Sequence, residues 1–136
     1  MEKESAEPRK APRPALRWLL VLAWMGLIFY VSSRSQLPTG HGALGEAVSF
    51  GGHLSEYAIL GGLLRWALSA RAGLLTLAIA VLYALSDEFH QSFVPGRNAS
   101  ALDFLVDILA ASLAIAALPR LLGAIRRSRR SLARRP

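Results

Sequence analysis

The sequence predicts an all-α, polytopic membrane protein with four transmembrane helices and both termini in the cytoplasm. Three observations lead there. The chain has 136 residues, 53% of them hydrophobic, and gathers its apolar residues into four long runs. Its basic residues lie almost entirely on one side of those runs. Trp18, Trp24, Tyr30, Trp66 and Tyr83 fall near the ends of runs, where amphipathic rings settle at the headgroup level of a bilayer. The length suits one domain. With no cysteine, neither a disulfide nor a thiolate metal site can form.

The first run, Leu16 to Ser33, is apolar enough to span a hydrocarbon core of about 30 Å, which takes roughly 20 residues. A cleaved signal peptide also has a basic front and an apolar middle, but "VSSRSQLPTG" offers no small-x-small cleavage site. The second run, about Phe50 to Ala70, is interrupted by Glu56 and Arg65 and is the weakest span. The third, Ala72 to Leu85, is short unless "SDEFHQ" carries the helix onward. The fourth, Ala101 to about Leu122, is long enough by itself. A four-helix membrane domain over residues 16–122 follows. It is flanked by a proline-rich charged tail (1–15) that reads as disordered and a basic tail (123–136) suited to anionic headgroups. A soluble bundle would not need runs of this width, and basic tails beside apolar runs favour a membrane surface over nucleic acid.

Charge sets the orientation. All Lys and Arg except Arg34 and Arg97 fall before the first run, between the second and third, or after the fourth. Positive loops stay cytoplasmic, so both termini lie inside, as an even number of spans requires. The acids outside the N-terminal tail, namely Glu46, Glu56, Asp87, Glu88, Asp103 and Asp107, then collect at the outer ends of helices or in outer loops, with His41, His53 and His90.

Helical spacing refines this cluster. His53, Glu56 and Tyr57 share one face at i, i+3 and i+4, and Asp87, His90 and Gln91 repeat the pattern if the third helix continues. Asp103 and Asp107 are also one turn apart. Asp103 and Ser100 suit a helix N-terminus, whereas Asp107 lies a turn deeper. Charge at membrane depth is expensive and turns toward partners, so Glu56, Asp87 and Asp107 are expected to face inward. The "VPGR" turn is expected to fold Arg97 back over the acids. Three readings stay open: a polar network that locks the helices, a ligand site, or a metal-dependent catalytic site from His53, Glu56, Asp87, Glu88 and His90. No HExxH motif is present, so no metal is assigned, and no cofactor is expected. There is no P-loop, Rossmann glycine set or G-x-S-x-G, and Ser32, Ser33 and Ser86 lack a base partner set. Asn98-Ala99-Ser100 fits a glycosylation sequon by pattern alone, and Gly26, Gly61 and Gly62 read as points of close helix approach.

"HLSEYAILG", "LYALSDEFHQSFVPGR" and "DFLVD" together resemble the VanZ-like family of small bacterial membrane proteins. The most specific stretch is Asp87, Glu88, Gln91, Pro95, Gly96 and Arg97, and "YVSSRSQ" matches a serine pair that ends the family's first helix. The chain departs in its fourth helix: Asp107 stands where the family often has Asn, and Ala110 and Ala111 where a glycine is expected. The resemblance implies work at the outer membrane surface, since the founding member is associated with low-level resistance to the glycopeptide teicoplanin. Expected binding residues are His53, Glu56, Tyr57, Asp87, Glu88, His90, Gln91, Arg97, Asp103 and Asp107. Expected partners are the bilayer and a lipid-linked glycan precursor, lipid or glycopeptide, with no nucleic acid and an unidentified membrane-protein partner left open. The alternative is an enzyme that acts on an outer-leaflet lipid-linked substrate.

Overall fold

A computed structural model describes residues 14–35, 43–68, 72–97 and 99–133, and leaves the side chains of residues 43 and 46 undescribed. His41, Arg71, Asn98 and the tail up to residue 13 lie outside the described residues, as does the Glu46 side chain. The described chain forms four helices: α1 Pro14–Ser32, α2 Ala43–Leu68, α3 Gly73–Gln91 and α4 Ala101–Leu132. Pro14 opens α1, where its missing N–H costs nothing. "SDEFHQ" does continue α3, to Gln91. Ser100 caps α4, its hydroxyl accepting from the Asp103 N–H at 3.2 Å. α4 also runs to Leu132, well into the segment expected to be a tail. At 1.5 Å per residue its length is about 48 Å, so it outreaches a hydrocarbon core of about 30 Å.

Cross-helix contacts give the topology. Trp24 Nε1 donates to the Glu56 carbonyl (2.9 Å) and Arg17 Nη1 to the Trp66 carbonyl (3.2 Å), so α1 and α2 are antiparallel. The Tyr83 hydroxyl donates to the Met25 carbonyl (2.5 Å), and Ser33 Oγ lies 3.0 Å from His90 Nε2, so α1 and α3 run together. α2 and α4 likewise advance together, from His53 beside Asp107 to Gly61 beside Ala111. The bundle is therefore up-down-up-down, the arrangement that short connections favour.

α2 is the hub: it packs on all three other helices, most extensively on α4. Its buried stripe is His53, Tyr57, Leu60 and Leu64, at helical spacing. The core is completed by Val21 and Ile28 of α1, Ala80 and Ala84 of α3, and Ala110 and Ala111 of α4. Small residues let backbones close in where lipid gives helices no hydrophobic reason to associate. Gly61 carries that role: a Cβ there would lie 2.7 Å from the Ala111 carbonyl oxygen. Gly26 and Gly62 do not share it, because a Cβ at either meets nothing within 4 Å.

Large apolar side chains instead cover the outside. Leu19, Leu22, Leu74, Leu82, Leu105, Leu109 and Leu113 are all exposed. A contiguous apolar exterior of this extent does not fit contact with water. Among the described residues, α1, α3 and α4 are long and apolar enough to cross a membrane. α2 has 26 residues, about 39 Å at 1.5 Å each, but its polar residues interrupt the apolar run.

A side chain at position 61 would meet backbone, which cannot swing aside. Gly61→Ala is expected to destabilise the detergent-solubilised protein by about 1–3 kcal/mol, the usual penalty of overpacking. Gly62→Ala, facing open space, should change thermal unfolding little. Equal melting of the two variants would refute this account of α2–α4 packing.

Candidate functional site

The polar cluster sits at the end of the bundle that carries the α3–α4 turn and the C-terminus of α1. Its deepest members come from three helices: His53 of α2, Asp87, Glu88 and Gln91 of α3, and Asp107 of α4, all buried. His53 Nδ1 lies 3.1 Å from Asp107 Oδ1, and Asp107 is fully buried. One carboxylate oxygen of Glu88 accepts the Ser100 N–H at 2.7 Å, which ties α3 to the start of α4. Asp87 Oδ2 accepts from Gln91 Nε2 at 3.1 Å, one turn along the same helix. Gln91 also reaches toward the Ser32 hydroxyl at 3.5 Å, at the limit of a hydrogen bond.

The network is unfinished from within. Asp87 Oδ1, Glu88 Oε1 and the Tyr57 hydroxyl are buried without a hydrogen-bond partner. Buried polar atoms are rarely left so, because an unmet donor or acceptor costs about 1–3 kcal/mol. Tyr57 is within electrostatic reach of Asp87 and Asp107, so these unmet atoms belong to one neighbourhood. His53, Glu88 and Asp107 each offer a ligand atom within 4.8 Å of the others, a set able to hold a metal ion. That set was not legible as a motif, since its three members come from three helices.

Other expected members are arranged differently. Glu56 is half-buried at the edge, within electrostatic reach of His53, Asp87 and Arg97. Asp103 is half-buried in the first turn of α4, within reach of His53. His90 turns away toward α1, stacked on Phe29 with ring centres 4.4 Å apart and its Nε2 beside Ser33.

Arg97 corrects the expectation that it folds over the acids. Its Nε donates to the Arg34 carbonyl (3.2 Å) and its Nη2 to the Val31 carbonyl (3.3 Å). The cause is the C-terminus of α1: the last carbonyls of a helix lack intrahelical donors, and a guanidinium fork supplies several. The turn aims it there. The Arg97 N–H closes on the Val94 carbonyl at 3.0 Å, with Pro95 and Gly96 at the corners and Gly96 at φ 80°, as a type II turn requires. Ser32 is the member that sequence reasoning undervalued. It is buried against Gln91, and its only signal was the serine pair at the end of α1.

The opposite end has a different character. Arg17 stacks over the Trp66 ring at 5.1 Å, beside a cavity of about 280 Å³ lined by Arg65, Trp66, Pro119 and Arg126, among others. Acids and imidazole at one end and arginines at the other repeat the sorting read from the sequence.

With this geometry in view, the comparison with known families is decisive. The family model described as VanZ/LLP1 matches residues 17–123. The chain belongs to the VanZ/LLP1 family. No curated protein and no solved structure matches it. VanZ membership and the span-capable helices make it a membrane protein of that family. The matched region takes in every member of the polar cluster.

Removing one partner of a buried ion pair strands the other. Asp107→Ala should therefore cost this VanZ-family protein about 3–5 kcal/mol of stability. The double variant His53→Ala/Asp107→Ala should lose clearly less than the sum of the two single changes. Strict additivity in a double-mutant cycle would show that the two side chains do not interact.

Proposed function

We propose that this VanZ-family protein crosses the membrane four times with both termini in the cytoplasm. Its polar cluster opens at the outer face and binds a cell-envelope ligand: a lipid-linked glycan precursor, a lipid or a glycopeptide. Such binding would contribute to tolerance of glycopeptide antibiotics. The carrying observation is the set of buried atoms with no partner in the protein, Tyr57 OH, Asp87 Oδ1 and Glu88 Oε1. Carboxylate oxygens only accept, so they call for donors or cations from a visitor. Sugar hydroxyls, amides and ammonium groups of envelope precursors supply such donors. The orientation is supported by the grouping of basic residues at the opposite end and along the C-terminal part of α4.

An enzyme acting on the same ligands is a second reading, favoured by one contact. His53 held by Asp107 at 3.1 Å has the arrangement of a general base and its orienting carboxylate. Turnover of an outer-leaflet substrate, abolished in His53→Gln, would establish it.

Two measurements test the main proposal. The chain has no cysteine, so a single Phe93→Cys variant reports its location cleanly. A membrane-impermeant maleimide should label it in intact cells, and labelling only after permeabilisation would reverse the orientation. In nanodiscs, the purified protein should bind a lipid-linked disaccharide-peptide precursor saturably. Asp87→Asn should weaken that binding about tenfold, as loss of one charge-assisted hydrogen bond does. Undiminished affinity in a folded Asp87→Asn variant would remove the cluster from ligand binding.

A further inference from the structure

We infer that His53, Glu88 and Asp107 form a binding site for one divalent transition-metal ion, of the Zn²⁺ or Mn²⁺ class. The inference deepens the reading of this cluster as a ligand site and rests on it. Geometry is its first support. One ligand atom from each residue falls within 4.8 Å of the other two, and all three residues are buried. Donors about 2.1 Å from a tetrahedral ion stand about 3.4 Å apart. The His53–Asp107 separation of 3.1 Å therefore fits an ion held between them as well as it fits a shared proton. A carboxylate oxygen of Glu88 lies within 4.8 Å of both other ligand atoms.

The second support is independent of that spacing. Glu88 is only 7% exposed, yet its Oε1 has no partner while its other oxygen is fixed on the Ser100 N–H. Asp87, at 3% exposure, likewise leaves Oδ1 unmet. Charge is the third support. Asp87, Glu88 and Asp107 are buried with one imidazole, and the Arg97 guanidinium donates to α1 carbonyls rather than to these carboxylates. With the three carboxylates ionised, the set carries more negative charge than one imidazolium offsets, and a dication would stabilise that form.

Donor chemistry selects the ion. One imidazole with carboxylates is a borderline nitrogen–oxygen set, which suits Zn²⁺ and Mn²⁺. Mg²⁺ and Ca²⁺ prefer oxygen alone, and soft Cu⁺ sites need thiolate or thioether, while this chain has no cysteine. Three protein ligands leave a position open, where an oxygen of an envelope ligand or a water could bind. Because His53 must give up its Nδ1 proton to the ion, binding should release protons and weaken as the pH falls.

The test uses the full chain in detergent, purified without a histidine tag and stripped with chelator. Titration with Zn²⁺ and Mn²⁺ by calorimetry, and native mass spectrometry, should show one ion per chain and a raised melting temperature. Glu88→Gln keeps an acceptor for the Ser100 N–H and should weaken Zn²⁺ binding at least about tenfold, in the range seen when metal sites lose a supporting group. His90→Ala, on the α1 side of α3, should bind as the parent does. Absence of a stoichiometric ion in the parent overturns the inference whatever the variants do. So does equal affinity in Glu88→Gln, loss in His90→Ala, or Mg²⁺ binding as tightly as Zn²⁺. Precursor binding by the chelator-stripped protein, measured in parallel, separates the two ideas: retained there without any metal binding, it refutes the ion and leaves the ligand reading standing.

Discussion

The fold depends on the contact between α2 and α4. Gly61 lets the α2 backbone come against Ala111, and that approach fixes how far apart the two helices stand along their shared course. His53 lies about two turns before Gly61, and Asp107 about one turn before Ala111. The spacing of the polar pair is thus set by an apolar contact deeper in the bundle. Helices in lipid gain little from apolar burial against one another, so packing and polar contacts decide which pairs form. Here both act on the same pair of helices. That is why α2, whose polar residues interrupt its apolar run, occupies the centre: its polar face is tolerated only where other helices shield it from lipid.

The two ends of the bundle solve opposite problems. At the arginine end, long side chains keep their charge near the interface and cover apolar surface with their stems, as Arg17 does across Trp66. At the acidic end, the groups are too short to reach water by bending and must find partners in the protein. Ser100, Gln91 and His53 meet some of that demand. Arg97 could have met more, but it is committed to Val31 and Arg34. Its commitment closes the α1 terminus and holds the α3–α4 turn, and its donors go to carbonyls rather than to the buried carboxylates. Gly96 makes this routing possible, since a Cβ there would lie 3.2 Å from the Ser35 carbonyl and would need a strained positive φ.

Much of this was legible in the sequence, and the misses have a common cause. Periodicity grouped His53 with Glu56 and Tyr57, and Asp87 with His90 and Gln91; the structure buries His53, Tyr57, Asp87 and Gln91 but leaves Glu56 at the edge and turns His90 to α1. The inward turn of Asp107 followed from the cost of charge at depth. The continuation of α3 through "SDEFHQ" was readable only as a condition, since its polar residues look like a loop until they have partners. What sequence could not show were relations between segments. The destination of Arg97 depends on carbonyls of α1, far away in the chain. Gly61 and Gly62 are indistinguishable until one faces Ala111 and the other open space. Hydropathy ranked α2 lowest as a span because of Glu56 and Arg65, and gave no sign that Gly61 and its buried stripe make it the hub.

Asp107 shows how one atom changes the character of such a site. Where the VanZ-like pattern often carries Asn, a carboxamide can donate to an imidazole as well as accept from it, and adds no charge. A carboxylate at position 107 can only accept when ionised, so His53 must turn a proton, or a cation in its place, toward it at Nδ1. It also raises the buried carboxylates at this end to three: Asp87, Glu88 and Asp107. Each of the other two already has one oxygen satisfied by the protein and the other unmet. An amide at 107 would leave two buried carboxylates here instead of three. The aspartate adds an acceptor that His53 meets at Nδ1, while Asp87 Oδ1 and Glu88 Oε1 stay unmet. The identity of residue 107 therefore bears on whether this end of the bundle is a closed lock between helices or a buried, acceptor-rich cluster that calls for donors.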